Sequence, residues 1–109
     1  ISRQIYEAGK PVAAVCHGPA GFLPITLSNG KSILEGKSVT SFTREEEVAF
    51  GTIDKIPYLL EESLMAKAYK FSKLQPWQEY VVTDGLLISG QNPSSAGAVG
   101  RELVKALKK

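Results

Sequence analysis

The sequence is poorest in the residues that form disulfides and metal sites, since it contains one cysteine and one histidine. A single cysteine excludes an internal disulfide and fits a reducing compartment, so we predict a cytoplasmic location. The two residues, Cys16 and His17, are adjacent, which is poor spacing for zinc ligands. We therefore expect no metal site. We also expect no other cofactor.

The chain also lacks a long apolar run and a strong charge of either sign. No apolar run approaches the ~18 residues of a membrane span, and no secretory signal is visible at the N-terminus. The net charge is +2, from 13 Lys and Arg against 11 Asp and Glu. The cationic cluster at Lys105, Lys108 and Lys109 complements the end of a last helix better than it fits a nucleic-acid site. We expect neither a membrane nor a nucleic acid as partner.

What the sequence does contain is an abrupt corner within residues 12–20, Val-Ala-Ala-Val-Cys-His-Gly-Pro-Ala. A short apolar strand is predicted to end at Cys16, and Gly18 with Pro19 favours a tight turn into a helix. This is the layout of a nucleophile elbow. At a helix N-terminus we expect the thiol to lose its proton more easily, with the His17 imidazole as acid or base. The backbone N–H groups just past the corner can bind an oxyanion.

Periodicity and turn residues predict that helices and strands alternate along the chain. The predicted helices cover 1–8, 20–23, about 43–50, a stretch opened by Pro57 that carries Leu60, Leu64 and Ala68, and a last segment that begins near Asn92. The predicted strands cover 11–15, 38–42, 69–72, 80–83 and 86–89. This order predicts an α/β fold, a sandwich with a largely parallel sheet plus a β-hairpin.

Local signals sharpen several of these boundaries. Asp84-Gly85 favours a two-residue type I′ hairpin turn, and Thr43 with Glu46 forms a capping box. Asn92 suits an N-cap and Pro93 the first helical position. The last helix is expected to bury a stripe of apolar residues, namely Ala96, Val99, Leu103 and Leu107. Phe42 and Phe50 are expected in the core, and Trp77 and Tyr80 as core or loop anchors rather than pocket walls.

The first helix and first strand indicate that residues 1–109 are the C-terminal portion of a single larger domain. The helix has no visible start, and the strand is already fully apolar. Such a strand needs helices on both faces and further strands beside it, which this chain supplies in too small a number. We expect a complete domain of ~200 residues.

Three stretches resemble the ThiJ/PfpI superfamily, the class I glutamine amidotransferase-like group. They are Ala-Val-Cys-His-Gly-Pro, Glu-Gly-Lys-Ser-Val-Thr-Ser-Phe-Thr-Arg-Glu-Glu-Glu, and Pro-Trp-Gln-Glu-Tyr-Val-Val-Thr-Asp-Gly-Leu-Leu-Ile-Ser-Gly-Gln-Asn-Pro-Ser-Ser. The resemblance is strongest to the branch of glutathione-independent glyoxalase III and chaperone-type proteins. It implies a flavodoxin-like three-layer α/β sandwich, often a homodimer.

The resemblance also implies a site. Cys16 matches the nucleophile and His17 its acid/base partner, and the acid aligns best with Glu47, although Glu45 and Glu46 stay open as alternatives. Gly18 and the segment at Asn92 and Pro93 are implied to lie near the substrate. The family's further acid and a glycine-rich segment belong to an N-terminal half that is missing from this chain. Either a partner chain supplies that half or the chain is part of a longer protein.

The function implied first is conversion of methylglyoxal to lactate through a cysteine nucleophile, with a small aldehyde as substrate. Alternatives are a stress-response chaperone or redox sensor, and a cysteine amidase or peptidase. Each residue also has a structural interpretation. A lone cysteine is often a small buried hydrophobe, the glutamates can stabilise a first helical turn, and Asn92 can serve as a cap alone.

Overall fold

The structure, a computed structural model, describes residues 2–51 and 59–108. Its helices are α1 (Ser2–Glu7), α2 (Arg44–Phe50), α3 (Leu60–Lys67) and α4 (Ala96–Leu107). Its strands are β1 (Val12–Val15), β2 (Ser38–Val39), β3 (Lys70–Phe71), β4 (Val81–Asp84) and β5 (Leu87–Gly90). Short 3₁₀ turns cover Gly18–Phe22 and Pro93–Ser95. Ile1 and Pro57, both assigned to predicted helices, lie outside the described residues.

The strands form two ladders with mostly parallel pairing. In the three-stranded sheet the order is β1-β5-β4, with β1 parallel and β4 antiparallel to the central β5. β2 and β3 pair in parallel in a second, two-stranded sheet. The Ser38 N–H donates to Asp84 Oδ2 over 2.8 Å, which joins the edges of the two sheets. The predicted α/β fold with a mostly parallel sheet is confirmed.

The hairpin between β4 and β5 is present, but its turn lies one residue later than predicted. Asp84 pairs with Leu87, so the two loop residues are Gly85 and Leu86 rather than Asp84 and Gly85. Gly85 has a φ of +60° and Leu86 is not among the positive-φ residues. A single positive φ at the first loop position is the pattern of a type II′ turn, and the predicted type I′ turn is wrong.

The core lies between the sheets and the helices that cover them. β5 is buried along its whole length, as expected of a central strand with covered faces. The buried apolar cluster takes its residues from the first 3₁₀ turn, the loop before β2, β2, α3 and β5. In that order they are Phe22, Ile33, Leu34, Val39, Leu60, Leu64 and Leu87. This cluster fixes the position of β5, and with it the strand β1 that leads into the corner at Cys16.

The predicted capping box and the predicted helix end near residue 50 are confirmed at α2. Thr43 and Glu46 form the full capping box, and the helix ends at Gly51 in the left-handed conformation with φ +78°. The expectation that Phe50 is a core residue is wrong, because its side chain on the last turn of α2 is 64% exposed. Phe42, just before the cap, is buried as expected.

The start of the last helix differs from the prediction. Asn92 makes no side-chain cap, and a 3₁₀ turn at Pro93–Ser95 precedes α4. The Asn92 amide is buried and bonded elsewhere, so it is not free to cap the helix. Val99 is buried as predicted, whereas Leu107 at the end of the helix is exposed. Among the described residues no helix is both long and apolar enough to span a bilayer.

Candidate active site

Cys16 occupies a strained corner between β1 and the 3₁₀ turn. Its φ of +63° lies in the left-handed region, which L-residues with a Cβ enter at a cost of ~1–2 kcal/mol. Two backbone hydrogen bonds hold it there. The Cys16 N–H donates to the Gly90 carbonyl over 3.0 Å, and the Cys16 carbonyl accepts from the Phe42 N–H over 2.9 Å. The predicted strand-corner-helix geometry is therefore present, and it is fixed by β5 and by the segment before α2.

The side chains of Cys16, His17 and Glu47 form a series of polar contacts, in which the imidazole lies between the thiol and the carboxylate. The Cys16 Sγ is 3.7 Å from His17 Nδ1, and His17 Nε2 is 3.0 and 3.1 Å from the two oxygens of Glu47. Since an ionised carboxylate can only accept, Nε2 carries a proton that it donates to Glu47. In the neutral imidazole this leaves the Nδ1 lone pair facing the thiol. The arrangement lets His17 receive a proton from sulfur.

The three consecutive glutamates have three different environments. Glu45 is exposed and pairs with Lys73 at 3.0 Å. Glu46 is fully buried in the capping box. Glu47 is 1% exposed, and its carboxylate meets an imidazole whose side chain is 48% exposed. Among the three, Glu47 is therefore the residue that the structure brings to His17.

The expectation that Cys16 has an easily lost proton is wrong for the described part of the chain. Burial raises the pKa of the Cys16 thiol above its ordinary value. The backbone N–H of His17 lowers it again in part, and the negative charges of Glu46 and Glu47 add to the rise. The short 3₁₀ turn that follows offers little dipole to counter these effects, because the dipole grows from aligned peptide units.

The remaining predicted residues lie around this corner in different degrees of contact. Gly18 begins the 3₁₀ turn, and a Cβ there would lie 3.1 Å from the Ala14 Cβ. Pro93 is exposed at the start of its own turn. Asn92 is fully buried; its amide donates to Glu46 and to the Gln78 carbonyl. A substrate contact through that amide would require it to leave these bonds.

Aromatic rings extend from the site to the surface, and sequence reasoning did not place them there. The Phe42 ring centroid lies 4.6 Å from that of His17 and 5.5 Å from that of Trp77. The Phe50 ring lies 6.1 Å from Trp77. Trp77 has a φ of +68° and is 40% exposed. Phe42 is 25 positions from His17 and 35 positions from Trp77, so no local pattern predicts these contacts.

No group of three or more His, Cys, Asp or Glu side chains in the described ranges could hold a metal ion. The site instead consists of a thiol, an imidazole and a carboxylate. Together with the mostly parallel sheet, this defines an α/β protein of the nucleophile-elbow class, with cysteine as the candidate nucleophile.

The chain belongs to the DJ-1/PfpI family, which matches residues 1–106. The predicted superfamily is therefore confirmed. Among curated relatives, the glutathione-independent glyoxalase HSP31 of Saccharomyces cerevisiae is 41% identical over 99% of this chain and 48% of its own length. Glyoxalase 3 of Candida albicans is 32% identical over 99% of this chain and 48% of its own.

Solved structures agree with this assignment. Rapid Encystment Protein 24 KDa of Francisella tularensis superposes with a TM-score of 0.91 at 36% identity, over 95% of this chain and 46% of its own. Glyoxalase III of Candida albicans gives a TM-score of 0.89 at 29% identity, over 96% of this chain and 46% of its own. The chain thus spans about half the length of the relatives it matches.

Proposed function

We propose that the protein containing this chain is a glutathione-independent glyoxalase that converts methylglyoxal to lactate, with Cys16 as nucleophile. The observation that carries the proposal is the contact series from sulfur to carboxylate, with Sγ 3.7 Å from His17 Nδ1 and Nε2 3.0 Å from Glu47. The names of the relatives, glutathione-independent glyoxalase and glyoxalase 3, support the substrate class.

The first step adds the thiol of Cys16 across the aldehyde carbonyl. The sulfur forms a bond to the aldehyde carbon, the thiol proton passes to His17 Nδ1, and the carbonyl oxygen takes up a proton to give a hemithioacetal. Glu47 stabilises the imidazolium that forms, because its carboxylate faces Nε2 with both oxygens. The raised thiol pKa is consistent with a proton that leaves during attack rather than before it.

The following steps move hydrogen between the two carbons of the dicarbonyl. The proton on the hemithioacetal carbon is removed and a proton is added at the neighbouring carbon, through an enediol, which gives a lactoyl thioester on Cys16. One water then hydrolyses the thioester and regenerates the thiol. The sum is one methylglyoxal and one water to one lactate, without external oxidant or reductant. An acid from the N-terminal half of the domain is proposed to share these proton transfers.

The test is lactate release from methylglyoxal by the full-length protein, without glutathione. Cys16→Ala should abolish release, and Glu47→Gln should lower kcat by about 10²–10⁴-fold, since positioned acid–base groups contribute that much. Glu45→Gln is the matched control, because it removes an exposed charge from the same helical turn and should leave kcat unchanged. Undiminished release by Cys16→Ala would overturn the proposal. Protection of unfolded clients that survives Cys16→Ala would instead favour the chaperone.

We further propose that residues 1–109 form the C-terminal portion of one domain, completed by an N-terminal half, in a cytoplasmic homodimer. β1 supports this: it lies at the edge of the described three-stranded sheet, and its apolar residues Val12–Val15 are only partly buried. A strand with apolar side chains on both faces is typical of a sheet interior. Intact mass and light scattering of the full-length protein would test the domain size and the dimer.

A further inference from the structure

The Glu46 carboxylate, next to the proposed acid of the site, carries far more contacts than its cap requires. A capping box needs one bond from the N-cap N–H to the carboxylate, here the 3.0 Å bond from Thr43. A solvated glutamate would supply that bond equally well. The side chain of Glu46 is instead 0% exposed, and further donors point at it.

Five donors converge on this buried carboxylate, and all five are neutral. Oε1 accepts from the Thr43 N–H, the Thr43 hydroxyl and the Gln91 amide, at 3.0, 3.0 and 3.1 Å. Oε2 accepts from the Trp77 N–H at 2.8 Å and from the Asn92 amide at 2.7 Å. Hydrogen bonds to a charged acceptor are roughly twice as strong as neutral ones. Such a carboxylate holds its donors firmly in place.

The donors come from three segments that border the site. Thr43 starts α2, the helix that carries Glu47. Trp77 stands in a left-handed backbone conformation, and its ring packs on Phe42, which in turn contacts His17. Asn92 follows β5, whose last carbonyl holds the Cys16 N–H. Each segment is therefore linked to a different member of the site, and Trp77 is linked to His17 through Phe42.

We propose that Glu46 is a positioning residue of the Cys16 site, which fixes the Trp77 backbone and the Asn92 segment against α2 so that Glu47 meets His17. The inference rests on Cys16 being the reactive centre, but it does not depend on which substrate that centre takes. Glu46 also acts on the thiol at a distance. The negative charges of Glu46 and Glu47 both disfavour the thiolate of Cys16. The His17 imidazole lies next to the same thiol, with Nδ1 3.7 Å from the sulfur.

The test compares Glu46→Gln with Glu45→Gln in the full-length protein. The amide of the first variant keeps the shape but presents NH₂ to donors, so at least two of the five bonds are lost whichever way it is turned. Trp77 is the one tryptophan of these 109 residues, so the emission component removed by Trp77→Phe reports on its loop. The pH dependence of Cys16 alkylation by iodoacetamide, followed by peptide mass spectrometry, reports on the thiol without any turnover.

In Glu46→Gln we expect acrylamide quenching of Trp77 to rise at least about twofold. We also expect the alkylation midpoint to move to lower pH, because a nearby negative charge is lost. Glu45→Gln should change neither readout. A purely capping role would lower the melting temperature of Glu46→Gln and leave the quenching of Trp77 unchanged, and that result would overturn the inference. Because neither readout needs methylglyoxal, a failed glyoxalase assay would leave this test intact.

Discussion

Gly90 ends β5 at the point where α4, β1 and the Cys16 corner meet, and we predict that Gly90→Ala destabilises the protein. A Cβ added there would lie 2.5 Å from Val99 Cγ2, 3.0 Å from Val15 Cγ2 and 3.2 Å from the Ser95 Cβ. Real Cβ atoms essentially never approach other atoms to 2.5 Å. Either α4 must move away from the sheet or β5 must move away from β1.

The expected magnitude follows from two opposing effects. Overpacking a close-packed core costs about 1–3 kcal/mol. Replacing glycine by alanine restricts the unfolded chain, which returns about 0.4–1 kcal/mol. Because an approach of 2.5 Å puts the overpacking cost in the upper part of its range, we expect a net loss of about 1–2 kcal/mol in the free energy of unfolding. At about 2–4 °C per kcal/mol for a domain of 150–250 residues, the melting temperature should fall by about 2–8 °C.

Thermal and urea unfolding of the full-length protein measures this loss, with Gly100→Ala in α4 as the control. A Cβ at Gly100 has no neighbour within 4 Å, so that variant should gain about 0.5–1 kcal/mol from helix propensity. In a double-mutant cycle, Gly90→Ala should cost about 1 kcal/mol less in the Val99→Ala background, where the closest atom is gone. An unchanged stability of Gly90→Ala, or an absence of coupling to Val99, would refute the reasoning.

Two further predictions concern the corner and the surface of α2. In thermal unfolding, the Cys16→Gly variant should be about 0.5–1 kcal/mol more stable than the Cys16→Ala variant, because the φ of +63° strains alanine and suits glycine. Equal stabilities of the two variants would argue against backbone strain at the corner. Lys73→Met should cost about 0.5–1 kcal/mol at pH 7, as the amine lies 3.0 Å from Glu45 and 2.9 Å from Glu61. The hydrogen bond from Lys73 lowers the pKa of the Glu45 carboxyl. The cost of Lys73→Met should therefore be fully present above the unfolded pKa of ~4.3 and shrink as the pH falls through the lower folded pKa. If the melting temperatures of variant and wild type differ by the same amount at pH 3 and at pH 7, this prediction is wrong.

The parts of the fold that the sequence predicts best are those encoded by neighbouring residues. The capping box at Thr43, the corner at Cys16 and the hairpin after β4 all depend on residues within a few positions of each other. The hairpin turn lies one residue later than predicted because Asp84 still pairs with Leu87, so the loop consists of Gly85 and Leu86. Of these two residues only Gly85 has a positive φ. Local signals identify such a turn but do not fix its register, which depends on the packing of β5.

The parts that the sequence does not predict depend on contacts between distant residues. Glu46 has a complete local explanation as a capping residue, yet the two shortest hydrogen bonds to its carboxylate come from residues 31 and 46 positions away, Trp77 and Asn92. Asn92 resembles an N-cap, but its amide is drawn into that buried cluster. The pKa of the Cys16 thiol is higher than the sequence predicts, because burial and two carboxylates raise it more than the short turn after Cys16 lowers it. The residues next to Cys16 indicate neither its burial nor the approach of these carboxylates.

The central claim is that Cys16 is the reactive centre of the full-length protein, and stoichiometric alkylation tests it most directly. Iodoacetamide is added in portions, the labelled fraction of Cys16 is measured on its peptide by mass spectrometry, and lactate release is assayed on the same samples. We predict that activity falls in proportion to the labelled fraction of Cys16 and reaches zero when labelling is complete, and that methylglyoxal slows the labelling. Activity that persists after complete labelling of Cys16 would contradict the account.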